Sequence, residues 1–288
     1  MSKRIWSYSA LTQYLRCPLQ FYFQRILDIP PAFTPATLAF GSSVHEALAV
    51  YHSALQRDIA IDDGEIRAAF LESWDRRKQR EKITFTEATT EKSLLAKGIA
   101  LLDAYLKEPP PQDIVGVEMT LMTPVHNSNG EALPAPMKTV IDLLTRDPGQ
   151  LLVWDFKTSS RAYSEMETEL SLQATIYSNS VWQIYKELPA FEFVVLLKTK
   201  SPKIQRVPTT RAPDDFGRLG DLIQVVDRAV KADMYYPIES CLNCSTCAYR
   251  KPCRSWISDP CVPKQETSRR ISSTDIPFEE DQACNDTA

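Results

Sequence analysis

The chain has 288 residues, 33 Lys and Arg against 37 Asp and Glu, and 43% hydrophobic residues, enough for a buried core and incompatible with disorder throughout or a fibrous repeat. Its net charge of -4 argues against a broadly basic nucleic-acid coat, although bound divalent ions recruit phosphates without any global excess of Lys and Arg. No run approaches the roughly 18 to 20 uninterrupted apolar residues of a bilayer span, and Met1-Ser2-Lys3-Arg4-Ile5-Trp6 lacks the apolar stretch of a secretory signal, so a cytoplasmic protein without membrane contact is expected.

The first third reads as helical. Ser9 stands where it can cap a helix whose Leu11, Tyr14 and Leu15 share a face, and Pro18 behind Cys17 marks a turn or break. After the Pro30-Pro31 loop, Ser43 and Glu46 have capping-box spacing and Val44, Ala47, Leu48, Tyr51 and Leu55 recur on one stripe, which predicts a helix starting there. A third helix is expected from about Asp62 past Trp74 into the charged run Asp75-Arg76-Arg77-Lys78-Gln79-Arg80. A fourth carries Leu94, Leu95, Leu101, Leu102, Tyr105 and Leu106, and Pro109, Pro110 and Pro111 stop it.

Beyond the prolines the period changes. Ile114 to Met122, Met137 to Thr145, Leu151 to Phe156 and Phe191 to Leu197 are short, apolar and rich in β-branched or aromatic residues, the pattern of four strands. Leu170 to Leu188, between the third and fourth, reads as a helix, which makes the class α/β with a mixed central sheet flanked by helices. Asp214 to Met234 is a further amphipathic helix, and from Pro263 the polar, aperiodic sequence predicts a disordered tail.

The second and third strands hold the chemistry. Asp147-Pro148-Gly149-Gln150 is a turn signal, and a hairpin centred on Pro148 and Gly149 pairs positions that sum to 297. Asp142 and Asp155 satisfy that sum and therefore face each other, with Cβ atoms about 5 Å apart. Facing carboxylates destabilise a sheet unless one is protonated or a cation lies between them, and Mg²⁺ or Mn²⁺ suits such oxygen-rich pairs. Lys157, two residues past Asp155, projects from the same strand face, where an ammonium can orient an attacking water and stabilise charge on a phosphoryl group. Glu118, on the preceding strand, is either a further ligand or a solvated strand residue.

Cys241, Cys244, Cys247 and Cys253 fall within thirteen residues, with Cys261 close behind, Cys17 near the N-terminus and Cys284 in the tail. Clustered thiols of this kind are metal ligands before anything else. Cys244-x2-Cys247-x5-Cys253 supplies three, and a tetrahedral zinc or a four-iron cluster needs a fourth, for which Cys241, Cys261 and Cys17 all qualify by spacing. Arg76, Arg77, Lys78, Arg80 and Lys82 form the densest basic run, and Arg250, Lys251 and Arg254 flank the last cysteines. Either group can track a phosphate backbone, with Tyr235, Tyr236 or Tyr249 stacking on unpaired bases.

Five runs in order resemble the PD-(D/E)XK nuclease superfamily, specifically its RecB-like and AddB-like branch with an iron-sulfur cluster. Tyr8-Ser9-Ala10-Leu11 through Cys17-Pro18 is similar to the N-terminal signature of the iron-sulfur members, and Phe40 to Leu48 to the histidine motif. Val140-Ile141-Asp142 looks like the aspartate motif, Val153 to Thr158 the lysine motif, and Gln173-Ala174-Thr175-Ile176-Tyr177 the Gln-x-x-x-Tyr helix. The resemblance spans about residues 6 to 256. It implies a restriction-endonuclease-like nuclease domain over 1–262, with a helical part to about 110, a sheet core over about 111–200 and a C-terminal helix and cluster over about 210–260, followed by a tail over 263–288. It further implies His45, Asp142 and Asp155, with Glu118 as a further candidate, as ligands of Mg²⁺ or Mn²⁺, and Lys157 as the catalytic lysine. Gln173 and Tyr177 would position the lysine or the DNA strand, and Cys17, Cys244, Cys247 and Cys253 would hold one 4Fe-4S cluster, with Cys241 as a substitute.

The implied activity is metal-dependent exonucleolytic cleavage of DNA, on single strands or ends, in recombination and repair. The alternatives are a CRISPR-associated nuclease trimming DNA for spacer acquisition, a non-catalytic iron-sulfur DNA-binding subunit of a helicase-nuclease complex, and a zinc-dependent adaptor. Without a Walker A run, any unwinding falls to another polypeptide, so a helicase or CRISPR adaptation proteins are the partners to expect. One position departs from the family pattern: Thr139 stands where a glycine is usual, and its side chain is expected to narrow access to the site.

Overall fold

The computed structural model describes residues 4–87, 89–147 and 149–256. Up to Arg254 these form one compact unit, and of a second unit from Ser255 to Ala288 they include Ser255 and Trp256 alone. The expected tail, Cys261, Cys284 and the hairpin-tip Pro148 thus lie outside the described residues. Among the described residues no helix is long and apolar enough to cross a membrane.

A two-residue strand, β1 (Trp6–Ser7), leads into α1 (Tyr8–Arg16). The cap is Ser7 rather than Ser9: Ser7 holds extended backbone, and its Oγ accepts the Ala10 amide at 3.2 Å, while Ser9 already lies inside the helix. Leu11 and Tyr14 are buried as expected, but Leu15 is exposed. Pro18 breaks the helix only briefly, because a proline at the first helical position forfeits no hydrogen bond. It opens α2 (Pro18–Phe21), which runs on into a π-helical turn, Tyr22–Ile26. A short β2 (Thr34–Pro35) precedes α3 (Ala36–Gln56), which begins seven residues before Ser43. The expected capping box is therefore absent: Ser43 is buried mid-helix with its hydroxyl returned to the Ala39 carbonyl at 3.0 Å, and Glu46 turns to the next helix.

That next helix, α4 (Asp63–Arg80), is capped by Asp62 and Glu65 in a reciprocal box, followed by β3 (Ile83–Thr84), which pairs with β2. On α5 (Glu91–Tyr105), a side chain at Gly98 would meet the Phe70 ring at 2.2 Å, so the missing Cβ is what lets α4 and α5 close on each other. Trp74 is fully buried between them and donates its indole N–H to Glu91 at 2.8 Å.

The main sheet comprises β1, β4 (Ile114–Thr123), β5 (Met137–Asp147), β6 (Gln150–Ser159), β7 (Ala190–Leu197) and β8 (Lys203–Thr209). β4 and β6 pair antiparallel with β5, β7 runs parallel to β6, and β8 returns antiparallel. The helix expected over Leu170 to Leu188 divides into α6 (Glu165–Glu169) and α7 (Leu172–Tyr185), and together they make the crossover that a parallel pair requires. α8 (Pro213–Lys231), α9 (Cys241–Cys244) and α10 (Arg250–Ser255) complete the fold. One apolar layer joins α1, α7 and α8 to the sheet, and a second joins α3, α4 and α5 to its other side. β6 is buried on both faces, with Leu151 and Val153 in the first layer and Trp154 and Phe156 in the second, which explains its near-continuous apolar run.

Candidate active site

The β5–β6 ladder runs from Asp147↔Gln150 to Leu143↔Trp154, and every pair sums to 297. It stops one pair short of Asp142 and Asp155, and further along the same edge of β5 the neighbour is β1, at Met137 and Lys138. The strands therefore part at Asp142, whose Oδ2 accepts the Phe156 amide at 2.9 Å in place of a ladder bond. That parting opens a cleft of about 680 Å³ lined by His45, Glu46, Arg77, Glu118, Asp142 and Lys157, with Gly41, Thr158 and Tyr177 among the others.

Three side chains converge as a donor set. The Nδ1 of His45, from α3, lies 3.3 Å from Asp142 Oδ2, and one ligand atom each from His45, Glu118 and Asp142 lie within 4.8 Å of one another. The β4 register places Glu118 opposite Asp142, between the pairs Val117↔Leu143 and Met119↔Ile141. Burial opposes charging of His45, but the hydrogen bond and charge of Asp142 outweigh it and raise its pKa. For Asp142 burial alone would raise the pKa, yet His45, Lys157 and the Phe156 amide together hold it below the usual range. Glu118 is pushed up to about 7, first by burial and then by the charge of Asp142. One imidazole and two carboxylates at this spacing fit a hard divalent cation, Mn²⁺ tolerating the nitrogen more readily than Mg²⁺.

Asp155 is fully buried. Lys157 pairs with its Oδ2, and Gln173 Nε2 donates to its Oδ1 at 2.6 Å. Burial, then the charge of Asp142, raises Asp155 to about 6 against the pull of Lys157. Lys157 remains a cation, because Asp155 and Asp142 overcome the burial that would discharge it. Tyr177, one turn beyond Gln173, stays a phenol: burial and the nearby carboxylates drive its pKa well above the tyrosine range. Thr139 does not line the cleft; it is buried, so the expected narrowing of the site by its side chain is absent.

Sequence reasoning missed three supports. Arg211 donates to the Thr168 and Ser171 carbonyls at 2.9 and 3.0 Å and to the Thr175 hydroxyl at 2.8 Å, pinning the start of α7 and with it Gln173. Tyr8 and Tyr163 lie near enough to Lys157 and Asp155 to feel their charges. Contacts to backbone carbonyls and across distant elements leave no spacing signal from which to find them.

The cysteines gather separately. Cys17, Cys241, Cys244, Cys247 and Cys253 line one hollow of about 490 Å³. Burial, then neighbours that include Cys17 and Cys244, raises the Cys247 thiol, and Cys253 feels Cys17, Cys244 and Cys247. Cys241 is exposed and is not among those mutual neighbours. Of the aromatic residues expected to stack on bases, Tyr249 is ruled out, being 2% exposed with its hydroxyl on the Ile29 carbonyl at 3.0 Å. Tyr235 packs at a 30° tilt against Tyr22, with ring centroids 4.5 Å apart, and Tyr236 is exposed.

A mixed sheet flanked by helices, opening at an Asp opposite an Asp-x-Lys, is a restriction-endonuclease-like core. The sequence matches the PD-(D/E)XK nuclease superfamily over residues 5–254, and the chain belongs to that superfamily. A crystal structure of a candidate exonuclease from Eubacterium rectale shares the fold, with a TM-score of 0.55 and 12% identity over 89% of this chain and 90% of that one. The structure of SSO0001 aligns over 83% of this chain and 97% of that one at 12% identity, with a TM-score of 0.34 that carries no weight. No curated protein matches the sequence.

Proposed function

We propose that the chain is a divalent-metal-dependent deoxyribonuclease of the RecB-like, iron-sulfur branch, acting on single-stranded DNA or DNA ends in recombination and repair. The observation that carries this reading is the convergence of His45, Glu118 and Asp142 within 4.8 Å, in the same open cleft as the buried Asp155–Lys157 pair. A divalent ion bound there supplies Lewis acidity toward a phosphoryl oxygen and a water of lowered pKa. The chain's own residues do the rest. Lys157 presents a permanent positive charge where negative charge develops on the phosphoryl group. Gln173 fixes Asp155, which fixes Lys157, so the ammonium is held in place before substrate arrives. Tyr177 lines the cleft as a neutral phenol, hydrogen-bonded to Gln173.

In this reading Cys17, Cys244, Cys247 and Cys253 hold a 4Fe-4S cluster that braces the two ends of a nuclease domain over 1–262. Support comes from Cys17 and Cys244, 227 positions apart in sequence, lining one hollow, with their neighbours already joined: the Asn243 side-chain Nδ2 donates to the Arg16 carbonyl at 3.2 Å. The test is anaerobic purification followed by incubation with end-labelled single-stranded and duplex DNA under Mg²⁺, Mn²⁺ or EDTA, beside Asp155→Ala and Lys157→Ala. Metal-dependent degradation lost in both variants, from a brown protein with four irons per chain, is expected. Intact DNA in every lane from folded protein would move the weight to a non-catalytic or partner-activated subunit, and a colourless protein with one zinc would remove the iron-sulfur cluster.

A further inference from the structure

The basic run on α4 does not act as one patch, because helical geometry divides it. Ser73, Arg76 and Arg77 lie at i, i+3 and i+4 and face α3, while Trp74 and Lys78 face α5. Arg76 pairs with Glu46, whose other oxygen accepts from Ser73 at 2.5 Å, so the charge of that cleft-lining carboxylate is neutralised from α4. Lys78 is occupied by Glu91 at 2.6 Å. Arg77 alone of the run lines the cleft, and it and Lys157 are the two lining residues with a permanent positive charge. Lys157 is committed to Asp155, which leaves Arg77.

Its guanidinium is free to change partner. The ion pair with Glu81 spans 3.3 Å from the last turn of α4 to its C-cap residue, with both side chains 31% exposed, and a partly exposed pair of that kind is weak. A phosphodiester accepts the planar fork through two parallel hydrogen bonds and is the stronger partner. The cleft also carries Glu118 and Asp142, which repel a polyanion until a cation is supplied. Glu81, the C-cap residue of α4, lies outside the cleft lining, whereas Arg77 forms part of the same wall as His45, Glu118 and Asp142, so a fork that leaves Glu81 turns toward the cleft.

We infer that Arg77 is the backbone clamp of the cleft: it leaves Glu81 to bind a phosphate of a single nucleic-acid strand beside the scissile one. The inference rests on the nuclease reading above and adds to it the residue that grips the strand without touching the reacting phosphate. The predicted signature is a binding effect. Arg77→Gln should raise both the KM for cleavage and the Kd for an end-labelled oligothymidylate about tenfold, with kcat within about twofold. Because each neutralised phosphate of a single strand contributes about 0.7 to the slope of log K against log salt, the variant should flatten that slope by about 0.7. Arg77→Lys should restore the slope, since it restores the charge, but only part of the affinity.

Anisotropy titrations of the holoprotein in Ca²⁺ at several salt concentrations, beside Arg80→Gln on the exposed end of α4, test this directly. An Arg77→Gln protein with the parental slope and Kd overturns the inference, as does a fall in kcat at unchanged KM. A flattening equal to that of Arg80→Gln also overturns it, because the effect would then be general charge. If the parent binds and cuts while Arg77→Gln is unchanged, the inference fails and the nuclease reading stands; a parent that does neither removes both. Thermal midpoints of all variants, expected within about 2 °C of the parent, exclude misfolding as the cause, and the Arg77→Lys slope is the readout that a merely structural role would not restore.

Discussion

The cleft and the cysteine hollow are built from opposite materials. The cleft is made where the best-packed part of the sheet comes apart: Asp155 is wholly buried, Lys157 is paired to it, and Leu143, Trp154 and Phe156 are buried around them. The hollow is made by short helices, α9 and α10, in which no residue is buried, and the segment leading into them is tied to α1 and α2 through individual hydrogen bonds. Leu19 N donates to the Tyr236 carbonyl at 3.1 Å, and the Tyr14 hydroxyl to that of Met234 at 2.8 Å. In the first region the fold holds the chemistry, at a cost in buried charge. In the second, the proposed cluster would supply cohesion that packing does not. Activity and stability should therefore respond oppositely to changes in the two places.

The sharpest way to break that contrast lies in the cleft. Asp155→Ala and Lys157→Ala should each lower cleavage by about a thousandfold or more, read by single-turnover degradation of labelled DNA. The double replacement by apolar residues of similar size should leave the thermal midpoint unchanged or higher, because it removes two buried charges together. A large fall in midpoint would show that the pair contributes stability and would erase the contrast. Next in size, Cys17→Ser should lower the midpoint by about 10 °C, corresponding to about 3 kcal/mol in a domain of this size, while the folded fraction still cleaves. Complete loss of activity at full stability would reverse the assignment of roles.

A smaller effect separates two histidines of one helix. His52 is fully buried, stacked on Phe156 at 5.2 Å and hydrogen-bonded to the Tyr105 hydroxyl at 2.8 Å, and burial lowers its pKa to about 3. Since the unfolded chain takes up that proton near the ordinary value of about 6.5, the unfolded state binds more protons between those limits. The stability contributed by neutral His52 is thus present above about 6.5 and is lost progressively as pH falls toward 3. Urea midpoints measured over that window should decline with acid, and His52→Gln should flatten the decline. An unchanged slope would remove His52 as the source.

Much of the cleft was legible because a strand has period two and a hairpin has a constant sum. Those rules gave the β5–β6 register as far as Leu143 and Trp154, one pair short of the expected facing of Asp142 and Asp155, and they put Lys157 on the same strand face as Asp155, while the spacing of Gln173 and Tyr177 gave one helix face. Glu118 remained ambiguous for a physical reason: its place depends on how β4, thirteen residues away across a loop, registers on β5, and on where α3 docks. Ser43 misled because capping spacing says nothing about whether helix already precedes it, and Ala36 to Ser42 are already helical. The edge strand β8 escaped because Lys203–Thr209 carries Pro208 and has Val207 as its one fully buried residue, so its apolar signal is thin. That Cys17 lies in one hollow with Cys244, Cys247 and Cys253 was expected only through resemblance, since no local period connects it to Cys244.

Glu118 has one further property. Its backbone φ is +46, a left-handed conformation that glycine takes without penalty and that a residue with a Cβ occupies at a cost of about 1 kcal/mol or more. A selection for thermal endurance and a selection for cleavage would therefore choose different residues here. Glu118→Gly is expected to melt about 2 to 4 °C higher while losing metal-dependent activity, which differential scanning calorimetry and a cleavage assay on the same sample would read. Position 118 is a meter for what the protein gives up in endurance to keep a carboxylate at that corner of the cleft.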